Sequence, residues 1–472
     1  MPIDTSSTAF LVSSVVKIGV VFTLLMLVVA YTTLAERRLS AFIQDRLGPN
    51  RVGPFGLLQP IADGIKNVLK EETAPAEANR FYFVVGPMLS IIPALVVFAV
   101  IPFAAPLPTP WGVVDMIVAD IPIGILYVLA LSSVGVYGLV LGAWASNNKY
   151  AFLGGLRAAA QMVSYEVALG LSVIAVLLLA GNVTLTEVVA QQQTLDFWFV
   201  LPLALAFILF VISAFAETNR LPFDMPEAES ELISGYHTEY SAMKFSMFFI
   251  AEYGHLVTTS ALMATLFLGG WDIPFWTGDD MFWHTCGAAA VGAGMCAAGE
   301  RILISGFTAE GLPQLADPAW WKTLLTFGAF AAKTGFFVLV YIWVRWTLPR
   351  FRYDQVMHLG WKVMLPTALA YVMLVSGTIL ALDLAGVPYG FTFGLVLTLV
   401  SLAATALFLF VVDRDRIISG AAAYERRKKE LEQRKAALAR VVGAGAGAAV
   451  PGSGVAGSGA GAVEAGGAGA TD

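Results

Sequence analysis

Charge is scarce in this chain. Of its 472 residues, 13% are Asp, Glu, Lys or Arg, about half of what a soluble domain of this length carries. An ordinary water-exposed surface is therefore excluded. Cysteine is nearly absent: Cys286 and Cys296 are the only two. With no CxxC pair and four scattered histidines, the chain lacks a ligand set for an iron–sulfur cluster or zinc. It also lacks a Walker loop and a GxGxxG turn between strand and helix, so it is expected to hold no nucleotide, flavin or metal of its own. The net charge of −6 says little about partners, because the two signs are segregated by segment. Nucleic acid is not an expected partner.

What the chain has instead is apolar length. Residues are 58% hydrophobic, and runs of roughly 20 apolar residues recur, each long enough to cross a ~30 Å hydrocarbon core as a helix. The expected spans are 10–34, 81–103, 121–141, 159–180, 197–215, 245–268, 324–346, 363–382 and 391–412. The fold class that follows is an all-α integral membrane protein, a polytopic helix bundle. Lys and Arg set its orientation. With the N-terminus outside, the inner connections hold most of the cations, from Arg37 to Arg80 and again at Arg350, Arg352 and Lys362, and the outer ones hold only Arg301 and Lys322. This is the positive-inside asymmetry. A tenth crossing between 268 and 324 would reverse it, so 286–298 is expected to be an outer loop or a short surface helix. A disulfide between Cys286 and Cys296 fits an oxidising compartment, and two small buried thiols fit equally. Residues 413–442 are expected as a basic helix, at the inner surface, against a partner or solvated. Residues 443–472, mostly Gly, Ala, Val and Ser, cannot bury enough side chain to fold.

The polar connections carry the chemistry. After the GPNRVGP turn, Phe55, Leu58, Ile61, Ala62, Ile65, Val68 and Leu69 recur at helical spacing, with Gln59, Asp63, Lys66, Asn67 and Lys70 between them. That is an amphipathic helix. It can serve as a surface anchor, or as the wall of a chamber that a lipid-soluble molecule enters sideways. Between two apolar runs lies "AETNRLPFDMPEAESELISGYHTEY", with Glu217, Arg220, Asp224, Glu227, Glu229, Glu231 and Glu239. Carboxylates this dense need cations, water or protons to persist, and burial with mutual repulsion raises their pKa values. A solvated acidic loop and a proton-passing cluster are both compatible with that. Glu166 and Glu252 fall inside apolar runs, where an ionised side chain costs roughly 2.5–3.5 kcal/mol on insertion scales. Such acids face a bundle interior or a wet cavity, and Tyr165 and Tyr253 beside them can extend a hydrogen-bonded path. Lys333 is their possible counter-ion or a plain interhelical pairing residue. Arg345 and Arg350 are interface cations, or they face one chamber together with Arg37 and Arg46.

The stretches "ERRLSAFIQDRLGPNRVGPFGLLQPIADGIK", "SYEVALGL", "AETNRLPFDMPEAESELISGYHTEY" and "LPRFRYDQVMHLGWKVMLP" together closely resemble the H-type family of membrane core subunits of proton-pumping NADH:quinone oxidoreductase, respiratory complex I. The resemblance runs through residues 10–271 and 324–384. It implies eight family transmembrane helices, to which 391–412 adds a ninth, and an amphipathic surface helix after the first span. It implies a quinone, ubiquinone or menaquinone, as substrate of the assembly. The other complex I subunits, on the inner side and along the membrane arm, would be partners in the lipid bilayer of the bacterial inner membrane. Carried over by motif, Arg37, Arg46, Asp63, Arg345 and Arg350 would lie at the quinone chamber. Glu36, Tyr165, Glu166, Glu217, Arg220, Asp224, Glu227, Glu229, Glu231, Glu239, Tyr240 and Glu252 would form a hydrated acidic path. The outer connection 272–323, the ninth run and the tail depart from the family pattern without touching those motifs.

Two other classes share parts of this signature. A homologous subunit of a membrane-bound hydrogenase or formate-oxidising complex would bind no quinone. A free-standing ion transporter would also bury acids, but the chain shows no inverted repeat and no paired broken helices.

Overall fold

A computed structural model of the chain describes residues 8–110, 112–195, 197–226, 235–274, 276, 278–285, 301–307, 313–414 and 431–433. Glu227, Glu229, Glu231, Cys286, Cys296, the segment 286–298, most of 413–442 and all of 443–472 lie outside the described residues. Two units are distinguished, Met1–Leu407 and Phe408–Asp472. Of the second, residues 408–414 and 431–433 are described, and they are helical.

A backbone surrounded by hydrocarbon can satisfy its N–H and C=O groups only within itself, and the described chain is predominantly helical. The helices are α1 (Thr8–Ile43), α2 (Gln59–Leu69), α3 (Arg80–Val96), α4 (Gly124–Ala145), α5 (Lys149–Ala180), α6 (Leu185–Leu195), α7 (Ala204–Glu217), α8 (Ala242–Phe267), α9 (Trp320–Thr347), α10 (Tyr353–His358), α11 (Leu365–Leu384) and α12 (Phe391–Arg414). A π-helical turn, Leu359–Met364, joins α10 to α11. Among the described residues, seven helical segments are long and apolar enough to cross a membrane: α1, α3 with its following turn, α4, α5, α9, α10 through α11, and α12. The apolar α7 is shorter, at 14 residues. In α8 the C-terminal half is buried almost without interruption.

Close approach of α3 and α4 depends on missing side chains. A Cβ on Gly86 would fall 2.8 Å from Gly142 Cα, and one on Gly138 would fall 2.7 Å from Ser90 N. Small residues at such positions let membrane helices pack backbone to backbone. Gly155 plays the same part where α5 meets Ala143 of α4. The helix ends are set locally. Asn148 Oδ1 accepts from Tyr150 N at the start of α5, and Gly181 closes its end in the left-handed conformation, φ 65°, where a Cβ is costly.

Among the described residues, strand structure lies in the connections. β1 (Ala104–Thr109) and β2 (Gly112–Met116) form an antiparallel hairpin, tied to α9 by Ala105 N donating to Thr326 Oγ1 at 3.1 Å. In the long connection after α8, β3 (Phe282–Thr285), β4 (Arg301–Phe307) and β5 (Pro313–Leu315) make an antiparallel sheet with β4 in the middle. This connection thus carries short strands on either side of the 286–298 stretch, which was expected as an outer loop or a short surface helix and lies outside the described residues. α2 has no buried residue, and its Ile61, Ile65, Val68 and Leu69 stand exposed. The last helix is held to the one before it by a hydrogen bond between Tyr371 Oη and Ser401 Oγ, 2.8 Å.

Candidate functional site

Within the last two turns of α1, the sequence AERRLS places Glu36, Arg37 and Ser40 where three other segments converge. Glu36 is 4% exposed. A carboxylate so buried needs cations and donors around it, and it has several. Arg220, just past α7, brings Nη1 to 3.1 and 3.2 Å from its two oxygens. Tyr253 of α8 donates its hydroxyl at 2.6 Å. Arg345, near the end of α9, donates to the same carboxylate. Arg220 also holds Glu252: its Nε lies 2.6 Å from Glu252 Oε1, and its guanidinium sits 4.3 Å from the centre of the Tyr253 ring. Two carboxylates and two guanidiniums thus interlock across α1, the α7–α8 connection, α8 and α9. Burial works against the charge on Arg220, but Glu252, Tyr253 and Glu36 hold it firmly on.

This cluster is one wall of a cavity of about 310 Å3 whose lining also includes Arg37, Arg46, Asp224 and Phe249. The basic and acidic residues expected from separate parts of the chain therefore share one space. Arg37 pairs with Asp63 of α2 at 2.6 Å, and Gln59 Nε2 donates to the other Asp63 oxygen at 3.2 Å, so the amphipathic helix is tied to a residue of the cavity wall without lining the cavity itself. Arg350 donates to Asp224 at 2.9 Å. Burial raises the Asp224 carboxyl above its ordinary range, and Arg350 offsets part of that.

Deeper in the bundle the acids continue. A void of about 30 Å3 touches Glu252, Glu217, Asn219, Gly135 and His255, so Glu252 borders both spaces. Glu217, the last residue of α7, accepts a hydrogen bond from Ser132, and Glu166 of α5 accepts one from the adjacent Ser133. Consecutive serines of α4 thus meet acids on two different helices. Ser132, Ser133 and His255 were not anticipated from the sequence. Their signal was the polar pair in LALSSVG and a histidine three residues beyond Glu252, one helical turn further on. Gly135 makes the room: a Cβ there would fall 3.4 Å from His255 Nε2.

Other expected residues stand apart from this succession. Tyr165 adjoins Glu166 in sequence, but neighbours on a helix point about 100° apart, and its hydroxyl donates to Val356 O at 2.9 Å. It anchors the segment before the π-helical turn, where Gly360 lies against its ring. Tyr240 stacks on Phe83 with ring centres 4.1 Å apart and donates to Gly142 O at 3.2 Å. Glu239 accepts from Asn148 Nδ2 at 2.6 Å. His237, nearby in the same connection, is driven down to about 4 by burial. Lys333 is no counter-ion to Glu166 or Glu252. Its ammonium donates to the carbonyls of Leu268, Gly270 and Asp272, just past the end of α8, where cations suit the exposed carbonyls.

The chain matches the model of one protein family, described as NADH dehydrogenase, over residues 16–376. Similar curated proteins share nearly half of their residues with it. An H-type NADH-quinone oxidoreductase subunit of Geobacter metallireducens is 46% identical over 366 residues, covering 78% of this chain and 96% of that protein. Its counterpart of the same name in Cytophaga hutchinsonii is 42% identical over 371 residues, covering 79% and 98%. NADH-ubiquinone oxidoreductase chain 1 of Chondrus crispus is 45% identical over 374 residues, covering 79% and 99%.

Proposed function

The chain belongs to the NADH dehydrogenase family, as an H-type subunit of NADH-quinone oxidoreductase and a multi-pass membrane component of respiratory complex I, and on that premise we propose how its buried charges serve the assembly. The cavity bounded by Arg37, Arg46, Glu36 and Asp224 is part of the chamber that receives the quinone. Glu252, Glu217 and Glu166, with Ser132 and Ser133 as hydroxyl links, form a path that responds to quinone reduction. The observation that carries this reading is Glu252, which borders the cationic cavity on one side and the void shared with Glu217 on the other.

Quinone reduction adds two electrons and takes up two protons. The electrons come from a partner subunit's redox centre, since this chain offers no ligand set for one. A quinone intermediate carrying added electrons is anionic before its protons arrive, and guanidiniums at the chamber wall stabilise it. That new charge competes with Glu36 and Glu252 for Arg220 and Arg345. Weakening those ion pairs raises the proton affinity of the acids behind them, and each tenfold change in proton affinity corresponds to about 1.4 kcal/mol. The change of state at Glu252 then passes to Glu217 across the shared void. The same reading puts the cationic chamber on the cytoplasmic side of a bacterial inner membrane, with the N-terminus outside, in accord with the distribution of Lys and Arg.

Photolabelling of the assembled complex with an azido-quinone tests the chamber. Label should appear in peptides containing residues 36–46 or 219–253 and fall away with excess unlabelled quinone. Label confined to other subunits would overturn the assignment.

A further inference from the structure

Beyond the end of α8, roughly 22 Å along the helix axis from Glu252 at 1.5 Å per residue, a second polar cluster lies in a connection that the acidic path does not use. Asp272, Asp279 and Asp280 each bring a carboxylate oxygen within 4.8 Å of the others. Asp279 is completely buried. Its Oδ2 accepts from Ile273 N at 2.8 Å, but its Oδ1 has no hydrogen-bond partner among the described residues. A carboxylate oxygen buried and unsatisfied is costly. A second orphan lies close by. Gln193 is 6% exposed, both polar atoms of its side chain lack partners among the described residues, and it lines the same cavity, about 480 Å3, as Asp272 and Asp280.

The nearby cation is committed elsewhere. Lys333 donates to the carbonyls of Leu268, Gly270 and Asp272, and lies 4.3 Å from the centre of the Trp198 ring. The three carboxylates offer hard oxygens without sulfur or imidazole, which suits Ca2+ or Mg2+. Mg2+ dehydrates reluctantly and is usually held by one or two carboxylates among waters, whereas three protein carboxylates closing on one point, with oxygens all within 4.8 Å of one another, suit Ca2+.

We propose that Asp272, Asp279 and Asp280 form a Ca2+ site. Asp279 Oδ1 is the ligand whose valence the protein leaves open, and Gln193 faces the waters that complete the coordination shell. Trp198 Nε1 donates to Asp272 Oδ2 at 2.8 Å, so the ion ties the connection after α8 to the segment before α7 and, through Lys333, to α9. It acts as a structural clamp, independent of the quinone reading.

The test is 45Ca2+ equilibrium dialysis on the detergent-solubilised complex after stripping with EGTA. Wild type should bind one more Ca2+ per complex than the Asp279→Asn/Asp280→Asn variant, with a dissociation constant on the order of 10⁻⁴ M, and excess Mg2+ should not displace it. Should the double variant fail to assemble, Asp280→Asn alone, at a half-buried position, serves with Tb3+ as the probe. Luminescence sensitised by the neighbouring tryptophans and quenched by added Ca2+ should be strong in wild type and at least ~10-fold weaker in the variant. Equal Ca2+ stoichiometry in wild type and variant, or Tb3+ luminescence unchanged by Asp280→Asn, overturns the site.

Discussion

Glu36 and Arg220, 184 residues apart in the chain, meet in a two-oxygen contact at 3.1 and 3.2 Å in the interior of the bundle. Breaking a buried pair costs about 3–5 kcal/mol where the remaining charge is left uncompensated; Arg220 keeps Glu252 at 2.6 Å, so the cost of removing Glu36 falls below that. Glu36→Gln strips the anion from both Arg220 and Arg345. The expected result is at least a ~10-fold loss of quinone reductase turnover, with less assembled complex. Native gels combined with activity per assembled complex measure the two effects separately.

The paired serines of α4 give a finer test. Ser132 and Ser133 donate to Glu217 and Glu166. Ser132→Ala/Ser133→Ala removes both donors while keeping every charge. A lost hydrogen bond to a charged group is worth about 1.5–3 kcal/mol, so proton translocation per NADH should fall while the complex still assembles. Vesicle acidification at matched complex content measures this.

The glycines that bring α3 and α4 together should be intolerant of a methyl group. Gly138→Ala directs a Cβ at Ser90 N and Gly86 O, at 2.7 and 2.8 Å, and backbone cannot retreat as a side chain can. Overpacking costs about 1–3 kcal/mol. It should also displace the helix that carries Ser132 and Ser133, lowering both the yield of complex and its turnover. Gly170→Ala, with nothing within 4 Å of the new Cβ, is the matched control and should behave as wild type in the same assays.

Acid should loosen the connection before α8. Burial lowers His237 from 6.5 to about 4, so the unfolded chain binds the proton first. Its contribution is full above pH 6.5, and stability is lost as pH falls from there towards 4, by on the order of 3 kcal/mol. His237→Phe, a ring among the rings of Tyr236 and Phe245, should flatten that window in thermal unfolding of the purified complex.

The helical membrane architecture was legible in the sequence, because apolar runs of bilayer length have few alternatives. The motifs around Glu36, Arg220, Glu252 and Arg345 were legible too, since charge held within greasy surroundings must be used or neutralised. Their joining into a single cluster was not. It requires α1, the α7–α8 connection, α8 and α9 to converge, and no local pattern encodes such a meeting. Tyr165 shows the opposite error: adjacency in sequence to Glu166 suggested a shared path, and helical geometry turned the two side chains apart. For Lys333, a cation within an apolar run fits either a counter-ion or a plain interhelical pairing residue, and its bonds to the carbonyls beyond the end of α8 are of the second kind. The short strands of the connection after α8 escaped notice because their alternation is brief and interrupted by glycine and alanine.

The central claim is that Glu217 changes its proton occupancy when quinone is reduced, and Glu217→Gln tests it most directly. The measurement is NADH-driven acidification of inverted membrane vesicles, recorded with NADH:quinone turnover at equal content of assembled complex. The account predicts normal assembly, turnover reduced at least ~10-fold and acidification reduced with it. Turnover and acidification both at the wild-type level would contradict it.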